Sequence, residues 1–274
     1  MKLPAAVGGI AIVVSCATAP PSPAPPVRAA AVPAPRTAVS DAGVDAPAPA
    51  PTAPAPSARL EPLAPPRDAK ARVEILFPIA EQRILIPKAQ GYTVRTKIEG
   101  WPRSAEGPGV LVVLDDHRPR RVLDKTEIKL GALVDDGREL APGPHWLALA
   151  AVDASHAVVR GGPGSRAPFA VVRFWIGDRD PRRPPGPGAL LLSPAGTYNG
   201  PSAPVVVDFL ALPEQLGDRS ATVRVTGQGS KLEQRLTEWQ PLALRDLPSG
   251  DFRVEVELGG ARVDRVVTVN RDLK

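Results

Sequence analysis

The chain has 274 residues, 35 of them proline, with 43% hydrophobic but only 4% aromatic side chains and a formal net charge of +5. Arginine is interleaved with Asp and Glu through most of the chain beyond residue 70, and the densest basic spots are Arg118, Arg120, Arg121 and then Arg179, Arg182, Arg183. They form no run or stripe, which argues against nucleic acid as a partner, because such a face concentrates its positive charge. At the N-terminus, Met1-Lys2 is a short positive segment and Leu3 to Val14 is apolar. About a dozen apolar residues suit the hydrophobic part of a signal peptide, whereas a bilayer span needs about 20. No second apolar run approaches that length, so no transmembrane helix is expected.

Val13-Val14-Ser15-Cys16 comes next, and Cys16 is the only cysteine in the chain. No disulfide can form within the chain, so the cysteine of an exported protein needs another explanation. The tetrad resembles the lipobox of bacterial lipoproteins: an aliphatic residue, a small or aliphatic one, a small one, then Cys. The resemblance implies a signal peptide over 1–15, cleavage between Ser15 and Cys16, diacylglyceryl on the Cys16 thiol, and acylation, as by palmitate, of the freed amine. Two or three chains anchor stably, since each buried CH₂ contributes about 0.8 kcal/mol and one chain alone is marginal. It also implies the cell envelope and, because Ala17 rather than Asp follows the Cys, the outer membrane of a diderm host. Pro4 and the single Lys2 depart from the ideal signal. The competing reading is an ordinary signal peptide with Cys16 incidental.

Residues 16–69 read as a disordered Ala/Pro-rich tether, as in Ala46-Pro47-Ala48-Pro49-Ala50-Pro51. Proline removes backbone donors and fixes φ, so polyproline II replaces helix or sheet. Some 50 such residues would reach about 160 Å fully extended and about 40 Å as a flexible coil.

From Ala71 onward short β-branched runs recur between Gly, Pro and Asp. Val73–Phe77 is the first, Tyr92–Ile98 alternates at period two, and Val110–Leu114 is continuously apolar, as a central strand is. Trp146–Val152, Ala157–Val159 and Phe169–Ile176 complete a first series over 70–177. A proline-rich stretch over 178–188 reads as a linker. A second series over 189–274 holds Leu190–Leu192, Val205–Phe209, Thr222–Thr226, Leu242–Leu244, Phe252–Leu258 and Arg265–Val269. Lys231–Trp239 has near-helical apolar spacing, with a bulged strand as the alternative, and Pro213–Gly217 could form one helical turn.

The halves share local features. Ile75-Leu76-Phe77-Pro78 matches Leu191-Leu192-Ser193-Pro194, and Leu140-Ala141-Pro142-Gly143 matches Leu247-Pro248-Ser249-Gly250. A leucine, a Pro/Gly turn and an alternating strand resemble the late strand pair of immunoglobulin-like and fibronectin type III-like domains. The expected fold is all-β: two consecutive immunoglobulin-like β-sandwiches after a tether.

Chemistry is sparse. His117, His145 and His156 have no partner at metal-ligand spacing, and no nucleophile elbow or phosphate loop occurs. Neither a metal nor a cofactor is expected. Gly227-Gln228-Gly229 reads as a hairpin turn. Asp115 and Asp116 could hold calcium only if the chain turns there, because adjacent strand residues face opposite ways. His145 reads as a half-exposed strand residue. Trp101, Trp146, Trp175 and Trp239 would make a glycan platform if exposed on one face. The expected function is a non-catalytic binding or structural role, anchored to membrane through lipid on Cys16, with a protein or glycan partner in the envelope. A polysaccharide-binding module and an envelope hydrolase are the alternatives.

Overall fold

A computed structural model describes residues 57–68, 70–123, 127–161, 168–180, 188–200, 204–212 and 220–272. The signal peptide, Ser15, Cys16 and residues 17–56 lie outside these, as do most of the expected linker (181–187) and the possible turn at 213–217. The described chain is almost wholly β. Its strands are β1 Arg59–Pro62, β2 Arg72–Phe77, β3 Arg83–Ile84, β4 Thr93–Glu99, β5 Gly109–Leu114, β6 Arg120–Arg121, β7 Glu127–Lys129, β8 Gly143–Val152 and β9 Phe169–Ile176. The second series comprises β10 Ala189–Ser193, β11 Thr197–Asn199, β12 Val205–Ala211, β13 Ala221–Gly227, β14 Ser230–Leu236, β15 Leu242–Arg245, β16 Gly250–Leu258 and β17 Ala261–Asn270. One short helix, Ile86–Ala89, follows β3, with Pro87 in its first turn, where a missing N–H does no harm.

The first sandwich packs the sheet β2-β4-β7 against β3-β9-β8-β5-β6, and the second packs β1-β15-β12-β10 against β11-β17-β16-β13-β14. In immunoglobulin terms β2, β4 and β7 take places A, B and E, facing G, F, C and C′ in β9, β8, β5 and β6. The second sandwich repeats this order with β10, β12 and β15 facing β17, β16, β13 and β14. The repetition extends to detail. β2 and β10 each carry a bulge, at Ile75/Phe77 and Leu191/Ser193, followed by a cis X-Pro bond. β8 and β16 both open on a glycine at φ 141°, Gly143 and Gly250, each preceded by a buried leucine, Leu140 or Leu247. A Cβ on Gly250 would fall on the Gln228 side chain.

Three findings correct the expectations. The tether expected over 16–69 is too long: Arg59–Pro62 is a strand, β1, paired antiparallel with β15 in the second sandwich. Its Leu60 and Ala58 pack on that core, so a fragment preceding the first sandwich completes the second. Pro62 sits opposite Leu242. Leu63 N–H donates to the Pro241 carbonyl, which makes the neighbouring 62/242 pair non-hydrogen-bonded, so proline forfeits nothing there. Second, Ser230–Leu236 is a strand, not a helix. Gln228 and Gly229, at φ 47° and 73°, form the two-residue turn that pairs it back on β13. Third, Ala157–Val159 is no ladder strand; it makes only a bridge from Val158 to Val152.

Candidate functional site: the seam between the sandwiches

Each sandwich has its own core, and a third apolar cluster lies between them. Alternation along the strands makes it. On β8, Leu147, Leu149 and Ala151 point into the first core, and Trp146, Ala148, Ala150 and Val152 point the other way. On β5, Val110 and Val112 face inward while Leu111 and Val113 face outward. The outward set meets Leu190 and Leu192 from β10, Leu210 from β12, and Leu212 just past β12. These strands are apolar on both faces because both faces are covered. That is why Val110–Leu114 and Leu190–Leu192 read as unbroken apolar runs.

Two arginines cross the seam. Arg160 donates to Asp208 Oδ1 at 3.0 Å and its guanidinium lies 3.7 Å over the Trp239 ring. Asp208 is fully buried on β12 and also accepts the N–H groups of Val158 (2.7 Å) and Phe209 (2.9 Å). Burial pushes the Asp208 carboxyl up, and Arg160 and the N–H donors pull it back only in part. Burial likewise pushes the Arg160 guanidinium down against the opposing pull of Asp208. From the other side, Arg265 on β17 donates to the carbonyls of Leu191 and Pro194 and, across the seam, to those of Asp116 and His117. Burial pushes its pKa down to about 10.

Asp115 and Asp116 do not form a calcium site. Asp115, at φ 51°, turns the chain at the end of β5. Its carboxylate is taken by His145 Nδ1 at 2.6 Å and the Trp146 N–H at 2.7 Å. His145 is buried, not half-exposed as expected, and its Nε2 lies 2.7 Å from the Ala141 carbonyl. Burial alone would lower its pKa; the hydrogen bond and charge of Asp115, with the Ala141 carbonyl, outweigh this and raise it. Two acceptors on two ring nitrogens favour the doubly protonated imidazolium. The ring also stacks on Phe174, with centroids 5.6 Å apart.

The other two histidines lie elsewhere. His117 Nδ1 is 3.6 Å from Asp135 Oδ2. His156 Nε2 contacts Arg121 at 2.7 Å, and burial, then that cation, pushes its pKa down. The three thus mark separate places, and among the described residues no group of three or more His, Cys, Asp and Glu gathers as for a metal. The tryptophans are spent internally. Trp101 donates to the Gly109 and Val152 carbonyls, Trp146 lies in the seam, Trp175 donates to Glu81, and Trp239 packs edge-on against Phe169. They build no common exposed face for stacking sugars. Of the basic spots, Arg120 pairs with Asp135, Arg121 donates to the Ser104 and Gly107 carbonyls, and Arg179 pairs with Glu81. Arg182 and Arg183 lie outside the described residues. No described helix is long and apolar enough to cross a membrane.

No protein-family model and no curated protein sequence matches the chain. Among solved structures it is similar to the neural ectodermal development factor IMP-L2, at 11% identity and a TM-score of 0.29, over 74% of this chain and 96% of that one. It is also similar to a titin immunoglobulin tandem, at 10% identity and 0.22 over 75% and 98%. A third is the titin z1z2 pair in complex with telethonin, at 14% identity and 0.24 over 74% and 98%. The fold is immunoglobulin-like, and the strand order above is what carries that assignment. Sequence reading found the apolar strands of the seam but missed Asp208, Arg160 and Arg265. Their one signal was a lone Asp inside the apolar run Val205–Phe209, a buried charge that demands a partner.

Proposed function

We propose that this chain is a membrane-anchored envelope lipoprotein with a non-catalytic binding or structural role, held through lipid on Cys16. The observation that carries the non-catalytic part is how the seam uses its polar groups. Asp115, His145, Asp208 and Arg160 are engaged with backbone or with one another, and Arg265 holds four carbonyls, so each fixes chain geometry. A general base would instead need a free lone pair aimed at a space where substrate can sit. An apolar seam with a buried ion pair suits a two-sandwich body that carries load or presents a surface at a fixed angle. The lipobox resemblance supports the anchor, and Ala17 supports the outer membrane in a diderm host. Mass spectrometry of the mature N-terminus is expected to find acylated Cys16, and Cys16→Ser is expected to keep its signal peptide uncleaved and carry no lipid. Cys16→Ser that is processed and still fractionates with membranes like the wild type would overturn the anchor.

A further inference from the structure

The two sandwiches differ at one matched place. In the second, the flank between β14 (C′) and β15 (E) is closed by β1, the donated strand. In the first, the same flank, between β6 and β7, is a groove of about 680 Å³. Among the described residues β7 pairs only with β4.

The edge of β7 is ready to bond. Leu130 N–H donates to the Tyr92 carbonyl. Alternation in an antiparallel ladder then makes Val94/Ile128 a hydrogen-bonded pair and makes Thr93/Lys129 and Arg95/Glu127 non-bonded pairs. The peptide groups of Glu127 and Lys129 therefore point away from β4, along the groove. In β15 the same logic, from Leu63 N–H to the Pro241 carbonyl, aims the peptide groups of Ala243 and Arg245 at β1. The groove wall is apolar at Leu123, Ile128 and Leu133, and Leu123 is 41% exposed. In the second sandwich Leu60 of β1 covers the corresponding flank. Among the described residues Arg120, Arg121, Lys129 and Glu127 line the groove; Arg120 is paired with Asp135 and Glu127 with Arg95, which leaves Arg121 and Lys129 as cations without a carboxylate.

We propose that this groove takes an extended peptide of a partner protein as an added strand antiparallel to β7. The peptide carries an apolar residue for Leu123 and Ile128, with carboxylates flanking it to meet the basic lining. The donated strand β1 supplies the precedent for the geometry, and the two cations without a carboxylate, Arg121 and Lys129, select the charge. Main-chain bonds to Glu127 and Lys129 give affinity, and the side-chain contacts give selectivity. The inference rests on the binding reading above and names the occupant.

Lys129 offers a clean test. Its φ of −77° and ψ of 135° accommodate proline, and its N–H is not used by β4. Lys129→Pro deletes the outward donor while leaving the β4 ladder intact; Lys129→Gln removes the charge and keeps the donor. The ¹⁵N-labelled full chain is titrated with a capped hexapeptide, Asp-Ser-Leu-Thr-Val-Asp, and with its Lys-for-Asp counterpart. Expected are amide shifts at Glu127 and Lys129, at least tenfold weaker binding to Lys129→Pro, a few-fold weakening by Lys129→Gln, and weaker binding of the basic peptide. Should Lys129→Pro unfold, Leu123→Asp, at an exposed position, is expected to weaken the acidic peptide several-fold. Equal binding by the wild type and these variants, or shifts confined elsewhere, overturns the proposal. So does a wild-type dimer that Lys129→Pro splits, because the occupant would then be a second copy. Failure here with Cys16 acylated removes the groove and leaves the anchored-lipoprotein reading standing.

Discussion

The two sandwiches have the same strand order and treat one flank in opposite ways. The second recruits β1 beside β15, and the first, among the described residues, leaves β7 as an edge. An unpaired edge is a hazard that proteins normally blunt with charge, brevity or a cover. β7 is short and carries Glu127 and Lys129, whereas β15 is apolar at Leu242, Ala243 and Leu244 and is covered. The strand whose sequence is least able to sit in water is the one that receives a partner. The donor comes from ahead of the first sandwich, so the second cannot finish folding without a piece of chain on the far side of its neighbour. Glu61 on β1 meets Arg245 across 184 residues of sequence. The seam and this strand together make one folded body out of two modules.

The largest expected effect breaks the union. Asp208→Ala leaves Arg160 buried without its carboxylate and orphans the Val158 N–H. A loss of about 3–5 kcal/mol is expected in denaturant unfolding, because removing one partner of a buried pair strands the other. If the seam couples the sandwiches, hydrogen exchange will accelerate in both; acceleration confined to β12 and its neighbours would show that they unfold separately.

A smaller effect separates the two flanks. Leu60→Asp is expected to cost about 1–2 kcal/mol, since Leu60 is half-buried and full burial of leucine contributes about 1.5–3 kcal/mol. Amide exchange at Ala243 and Arg245 should rise toward the rates of Glu127 and Lys129, which the described structure leaves unpaired. Unchanged exchange at Ala243 would mean that β1 adds nothing to the ladder.

The smallest effect is electrostatic. His145 and His156 belong to one sandwich and shift in opposite directions from 6.5, up and down respectively. The stability that His145 contributes is full below 6.5 and is lost as pH rises through its folded value. His156 works the other way: the unfolded state binds more protons between its lowered folded value and 6.5, so stability grows with pH across that window. Imidazole NMR titration is expected to order them His145 above His156, and His145→Gln should remove the loss of stability on the alkaline side. The reverse order would mean that the Asp115 contact is absent in solution.

Much of this was legible in the sequence. Period-two and continuous apolar runs marked the long strands, and the paired leucine–turn–strand segments marked the repeat, because backbone alternation writes burial directly into residue order. The lipobox resemblance, too, is a property of adjacent residues. What tertiary structure alone decided involves partners far apart. β1 is four residues in a proline-rich stretch, the last of them Pro62, and its pairing with β15 has no local signature. The same holds for Asp208, whose cation arrives from the other sandwich, and for His145, whose burial and proton depend on Asp115 across the ladder. Sequence determined which residues must leave water, an intrinsic property of each side chain. Which buried groups meet, and which edge receives β1, was decided by packing, because those energies belong to pairs.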